Sequence, residues 1–264
     1  MLSLKKIKKV LRNKGITDNN EIKYGYSGDF CSFAEVSALC KGYSSETIIN
    51  KTLQSTLKVK NGEAIFERDS YIFDKIQYSY PLLACLFKIA TEHNSKLNVL
   101  DFGGALGSHY YQNKEFLKPI YIERWTVVEQ PTYVNLGNEQ IADDTLKFAY
   151  RIESVKNANV LLSSSTLQYL EEPYTWAKRF IESGIDYILL DRIQFNAEKR
   201  DRLTLQTVPP EIYDAQYPSW FLNEDKLLSI FKEKYNLILD FDSTIDQANI
   251  PSYYKGFLFK KKEE

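Results

Sequence analysis

The sequence is poor in the residues that metal and redox chemistry use most. Its 264 residues include three cysteines, two histidines and one methionine. Cys31, Cys40 and Cys85 form no C-x-x-C pair, and their number is odd. Reduced thiols in a cytoplasmic protein are therefore expected rather than a disulfide framework. His93 and His109, with cysteines so scattered, do not make a zinc set. No run of about 18 apolar residues occurs, so no membrane-spanning helix is expected. The opening "MLSLKKIKKVLRNKG" lacks the long apolar segment and small-residue cleavage site of a secretory leader. Neither sign of charge is in excess: 34 basic residues face 35 acidic ones, for a net charge of -1. That balance excludes a general nucleic-acid binder and leaves room only for a local basic patch. There is no internal repeat and no low-complexity linker.

What is present is core material. Apolar residues make up 44% and charged residues 26%, the balance of a folded chain. The length suits one α/β domain with an added subdomain, or two small domains. The 19 tyrosines and 15 phenylalanines reflect overall composition and point to no ligand. In the first fifteen residues Leu2, Leu4, Ile7, Val10 and Leu11 interleave with lysines. That pattern fits a terminal helix with a solvated face, or weak peripheral contact with a membrane surface.

Residues 1–80 show no strong strand alternation. "DFCSFAEVSALCKGYSSETIINKTLQSTLKV" reads as helical pieces broken at Gly42, Tyr43 and Ser44. A helical N-terminal region or lid is expected over 1–80, and the main domain over 81–264. "YPLLACLFKIATEHN" is a helix with Pro81 in its first turn. Strands and helices then alternate: "NVLDF", "RWTVVEQ", "LKFAY", "NVLLSSS" and "DYILLDRI" are strands, and "PYTWAKRFIESG" is a helix. "LNEDKLLSIFKEKY" is helical, and "NLILDFD" and "GFLFKKK" close the chain as strands. Such alternation implies a mostly parallel sheet with helices on both faces.

The stretch "NVLDFGGALGSHYY" runs from a strand into a glycine-lined turn. A dinucleotide fingerprint needs glycines at relative positions one, three and six. Those positions hold Phe102, Gly104 and Gly107, so the first glycine is missing. The S-adenosylmethionine (SAM) version is an acid followed by glycines at every second position. Here that gives Asp101, Gly103, Ala105 and Gly107, with Ala105 in place of the middle glycine. A turn of this kind also packs a strand tightly against a helix with no ligand at all. Glu129, at the end of the next strand, is placed to accept both ribose hydroxyls of an adenosine. "VLLSSSTLQYLEEP" sets Ser and Gln at the carboxyl end of the fourth strand, where open α/β sheets bind ligands. A final strand pair with an antiparallel return is typical of SAM-dependent methyltransferases and atypical of dinucleotide dehydrogenases.

These stretches resemble a class I SAM-dependent methyltransferase. More narrowly, they resemble a bacterial methyltransferase family associated with surface-polysaccharide (capsule and lipopolysaccharide) biosynthesis. The resemblance is carried by "SGDFCSFAEV", "VLDFGGALGSHYYQN", "WTVVEQP", "SSSTLQYLEEP", "YILLDRIQF", "DRLTLQTVPPEIYDAQYPSW" and the tail, from about residue 27 onward. It implies a Rossmann-like methyltransferase fold: a mostly parallel seven-stranded sheet with an antiparallel last strand. It also implies SAM as cofactor. Asp101, Gly103, Gly104 and Gly107 would then line the methionine end, with Asp101 holding the α-amino group directly or through water. Glu129, with Gln130 beside it, would bind the ribose. Phe148 and Tyr150 would flank adenine, and Ser164, Ser165 and Leu167 would form the wall beneath the sulfonium.

Methyl transfer is an in-line displacement on the sulfonium, and alignment supplies much of its rate. His109, at a helix start beside the crevice, is a candidate general base, kept neutral by the helix N-terminus. It is equally a structural or acceptor-orienting histidine. His93 is read as a surface residue. Gln168 and Tyr169 are placed to hydrogen-bond the acceptor, although Tyr169 also suits a core. Arg192 either pairs with its neighbour Asp191 or grips an anionic acceptor, with Arg200 and Arg202 nearby in sequence. Tyr213, Tyr217 and Trp220, on a long connection, either stack on a sugar or pack a lid. The expected partner is a small anionic or sugar-linked acceptor, with no nucleic acid. A nicotinamide-dependent oxidoreductase and an inactive SAM-binding module remain open.

Overall fold

The computed structural model describes residues 24–40, 45–209 and 215–263. The expected basic helix at the start and Tyr213 lie outside the described residues.

Seven strands form the central sheet: β4 (Lys96–Phe102), β5 (Tyr121–Val128), β6 (Leu146–Ala149), β7 (Val160–Ser164), β8 (Tyr187–Asn196), β11 (Tyr235–Asp242) and β12 (Ser252–Lys261). Their order is β11-β12-β8-β7-β4-β5-β6. Strands β4 to β8 pair in parallel, and β12 runs antiparallel to both β8 and β11. The central strands read as unbroken apolar runs because both of their faces are covered. In β4 every residue after Lys96 is buried.

One face of the sheet is covered by α3 (Tyr80–Glu92), α4 (Ser108–Asn113) and α5 (Pro131–Leu136). Pro81 opens α3 where its missing N–H costs nothing. Leu82, Leu83, Leu86 and Ile89 then recur at helical spacing and pack against Val99, Trp125 and Val127. The other face is covered by α6 (Pro173–Glu182) and α7 (Glu224–Phe231), whose Phe180, Leu227 and Phe231 meet Leu100, Leu161 and Phe257. The crossover from β6 to β7 contains only a single 3-10 turn, Ile152–Ser154, and no α-helix.

The region read as wholly helical is corrected by the structure. Residues before 80 form α1 (Phe33–Leu39) and α2 (Ser45–Lys60), but also three strands: β1 (Gly25–Phe30) and the hairpin β2 (Phe66–Arg68) with β3 (Tyr71–Phe73). Strand β1 pairs antiparallel with β9 (Arg202–Thr207), which also pairs with β10 (Gln216–Phe221). The long connection after β8 is therefore sheet rather than lid loop. Asn249, in the β11–β12 connection, completes β1 from its other side. Its Oδ1 accepts from the Tyr26 N–H at 2.7 Å and its Nδ2 donates to the Tyr26 carbonyl at 2.9 Å. An amide side chain thus stands where a neighbouring strand's backbone would be.

Candidate active site

The carboxyl ends of β4, β5, β7 and β8 meet at one edge of the sheet, as the topology of an open α/β sheet dictates. The loop 103–107 leaves β4 there and enters α4, with Gly107 at the N-cap at φ 92°. Gly103 has φ 77°, and a methyl on it would strike the Thr166 side chain. Thr166 is itself fixed, its Oγ1 reaching the Ser164 carbonyl at 3.1 Å and the Phe102 carbonyl at 3.3 Å. A side chain on Gly104 would fall on the Asp101 carboxylate. Ala105 adopts φ 51° in place of a glycine, so the loop keeps a left-handed residue there despite the added methyl.

Asp101 supports this loop from beneath. It is fully buried, and its Oδ2 accepts from Trp125 Nε1 at 3.0 Å. His109 Nδ1 lies 3.2 Å from Oδ1 and 3.3 Å from Oδ2. The Asp101 oxygens thus already have Trp125 and His109 as partners. The electrostatic expectation for His109 is corrected. Burial disfavours the imidazolium, but the Asp101 carboxylate outweighs it and the pKa is raised above 6.5. His109 also lines a cavity of about 30 Å³ shared with Arg68, Ser79, Ser164, Asp191 and Arg192.

Glu129 closes β5 beside the loop and is partly buried. Its Oε2 accepts from the Gln130 N–H at 2.7 Å, and the Ala105 backbone N–H also bears on the carboxylate. Burial raises its pKa. Gln130 is the exposed N-cap of α5. Phe148 packs inward against Gly137, in the π-turn Gly137–Ile141 that follows α5. Tyr150 is 55% exposed and its hydroxyl donates to Asn135 Oδ1 at 2.6 Å. The structure thus puts Tyr150, and not the Phe148 ring, at the surface.

On the β7–β8 side, Ser164 donates to Asp191 Oδ2 at 3.0 Å, while Asp191 Oδ1 is buried without a partner. Burial raises the Asp191 pKa. Ser165 takes φ 55°. Gln168 Nε2 donates to Ser165 Oγ and to the Arg192 carbonyl, both at 3.1 Å. Gln168 thereby ties β7 to β8, with its Oε1 left unpartnered. Leu167 is fully buried in the core rather than at the crevice wall. Tyr169 sits edge-on to Tyr217, with ring centroids 6.4 Å apart, and burial raises its pKa.

Arg192 does not pair with Asp191. At Arg192 the strand takes a left-handed φ of 56° within an irregular register, and the guanidinium holds Asp246 of the β11–β12 connection bidentately, at 2.6 and 3.0 Å. That pairing occupies Nε and Nη2 of the guanidinium. Arg200 pairs with Asp29 at 2.6 Å, and Arg202 donates to the Gly28 carbonyl at 2.9 and 3.0 Å. Both fasten β1 to β9. His93, read as a surface residue, bonds the Ile89 carbonyl and Asp186 at the end of α3.

Sequence reasoning missed Glu67. It sits on the β2–β3 hairpin, 2% exposed, and accepts from Ser108 Oγ at the start of α4. Burial pushes its pKa to about 7. The one available signal was a charged pair, Glu67 and Arg68, inside the apolar run "AIFERDSYIF". Trp125 and Asp246 carried no signal, because their partners lie 24 and 54 residues away.

Together, the reversed final strand between β8 and β11, the glycine loop after β4 and the carboxylate ending β5 define a Rossmann-like methyltransferase fold. Solved structures of this kind are similar to the chain. LepI in complex with SAM aligns at 12% identity and TM-score 0.48, over 67% of this chain and 46% of LepI. The N-methyltransferase NodS of Bradyrhizobium japonicum, bound to S-adenosylhomocysteine (SAH), aligns at 13% identity and TM-score 0.46, over 79% and 99%. A SAM-dependent methyltransferase of Methanosarcina mazei aligns at 13% identity and TM-score 0.45, over 66% and 98%. This chain therefore spans about half the length of LepI. No family model and no curated protein matches the sequence.

Proposed function

We propose that this chain is a SAM-dependent methyltransferase acting on a small polar acceptor, most simply at a hydroxyl. The observation that carries the reading is the contact between loop and carboxylate: the left-handed Ala105 turns its N–H toward Glu129 at the carboxyl edge of the sheet. Loop amides and a neighbouring carboxylate together suit an amino-acid tail and a ribose diol on one ligand. Gly103 and Gly104 let the loop close against Thr166 and Asp101 and so shape the turn that holds the methionine end, Glu129 accepts from the ribose, and Tyr150 borders the adenine side. SAM supplies an electrophilic methyl, and the chain's own residues align the acceptor, exclude water and take a proton.

His109 is the proton acceptor in this reading. Its Nδ1 is anchored on Asp101, which leaves Nε2 to take the proton, and the residue lines a cavity with Ser164 and Asp191. Glu67, unpartnered at Oε2, stands on the other side of Ser108. The acceptor classes implied by the resemblance are a sugar nucleotide, a sugar phosphate, or a phosphate or phosphoramidate group on its way to a surface polysaccharide. They rest on that resemblance, since the Arg192 guanidinium is bound by Asp246. N-methylation of an amino sugar uses the same geometry. Residues before 80 would cover the crevice, because the β2–β3 hairpin touches α4 through Glu67 and Ser108.

Calorimetric titration tests the cofactor. SAH is expected to bind and NAD is not; binding of NAD with no heat from SAH would establish the oxidoreductase reading instead. Transfer of label from SAM to an acceptor separates an enzyme from a binding module.

A further inference from the structure

A second cavity lies outside the crevice built by the loop 103–107, Glu129 and Asp191. It encloses about 340 Å³ on the α6 face of the sheet, over β5 and β6. Parallel sheets are ordinarily covered on both faces by crossover helices. Here the β6–β7 crossover supplies only the 3-10 turn Ile152–Ser154, and a stretch of sheet face stays open beside it. Strand parity decides what is exposed there. Asn98, Arg124, Thr126 and Lys147 share that face, with Asn98 registered to Arg124 and Thr126 to Lys147. A bulge between Leu97 and Asn98 turns Glu123 toward the same opening. Lys156 reaches in from the crossover.

Two features of this groove ask for a ligand. Arg124, Lys147 and Lys156 have no ion-pair partner among the described residues and face a single carboxylate, Glu123, so the groove carries a surplus of positive charge. On the floor, Asn98 is 6% exposed and its Oδ1 has no hydrogen-bond partner. Its Nδ2 is spent on the Lys156 carbonyl at 3.4 Å. A buried acceptor left bare is costly. A bare anion satisfies the cations but offers that oxygen no donor.

We propose that this groove is a second ligand site, distinct from the cofactor crevice, for a phosphomonoester that carries free hydroxyls. The phosphate takes Arg124, Lys147 and Lys156 through charge-assisted hydrogen bonds. A hydroxyl donates to Asn98 Oδ1, and Thr126 lies beside it. The volume is at the small end of small-molecule sites, which suits a sugar phosphate or a mononucleotide.

Ribose 5-phosphate and AMP are the probes, with ribose as the control, read by amide shifts in the full chain. Both phosphates are expected to move residues 98, 124–126, 147 and 154–157 and to leave 103–107 and 129 in place. A response to only one of them identifies the source. Arg124→Gln and Lys147→Gln, at exposed or half-buried positions, are each expected to weaken binding about tenfold, the effect of one charged hydrogen bond. SAH affinity should stay unchanged in both variants, so failure at the groove is distinguishable from failure of the methyltransferase reading. No shifts at millimolar probe, equal binding by ribose or by the Gln variants, or AMP shifts confined to 103–107 and 129 would each overturn the second site.

Discussion

At the scale of single residues, ionisation is set by burial and by one neighbour at a time. Glu129 must be ionised to accept from a ribose diol, and burial raises its pKa. Cofactor binding is therefore expected to weaken on acidification at a higher pH than an exposed glutamate would show, in SAH titrations across pH. Glu129→Ala should reduce SAH affinity by about 10- to 100-fold, the effect of one or two charged hydrogen bonds, with the thermal midpoint little changed. His109 titrates in the opposite sense. Its folded pKa lies above 6.5 because Asp101 outweighs burial. Its contribution to stability is present below pH 6.5 and is lost as pH rises through the folded value. Methyl transfer needs the neutral imidazole, so kcat is expected to climb with pH through a midpoint above 6.5. His109→Gln should lower kcat by roughly 10²–10⁴ and abolish that rise.

At the scale of elements, the sequence was legible where a segment's own residues decide its structure. The apolar run of β4, the proline-led starts of α3 and α6 and the glycine turn after β4 all carry local signals. The placement of Asp101, Gly103 and Glu129 at or just past strand ends was legible for the same reason. Features made by distant partners were not legible. Nothing in "GYSGDF" announces β1, since its pairing is with β9, with Tyr26 opposite Gln206. The Arg192–Asp246 clamp is of the same kind, and its removal is a test. Arg192 and Asp246 side chains are 11% and 25% exposed. Burial alone would raise the Asp246 pKa, but Arg192 holds it below 3.8. Its stabilising effect is therefore present above about pH 4 and is lost on acidification below that. Asp246→Ala leaves a guanidinium buried without a partner and is expected to cost about 3–5 kcal/mol in urea unfolding. Replacing both residues with apolar ones should recover much of that loss.

At the scale of the whole molecule, the two larger sheets of the described residues differ in strength. The seven-stranded sheet is covered by helices over most of both faces, while the three-stranded sheet rests on β1, a short edge strand. Hydrogen exchange is expected to follow that difference: slowest in β4, β7 and β8, and fastest in β1 and the β2–β3 hairpin. Uniform protection across both sheets would contradict it. The clasp of β1 between β9 and Asn249 also orders events during synthesis. Strand β1 leaves the ribosome before either of its partners, since its first pairing begins at Leu203 and its second is Asn249. At cellular elongation rates it waits roughly ten to thirty seconds for β9. The segment that seals the molecule is thus made well before it can be placed, and a nascent chain stalled before residue 200 holds its future seam open to chaperones.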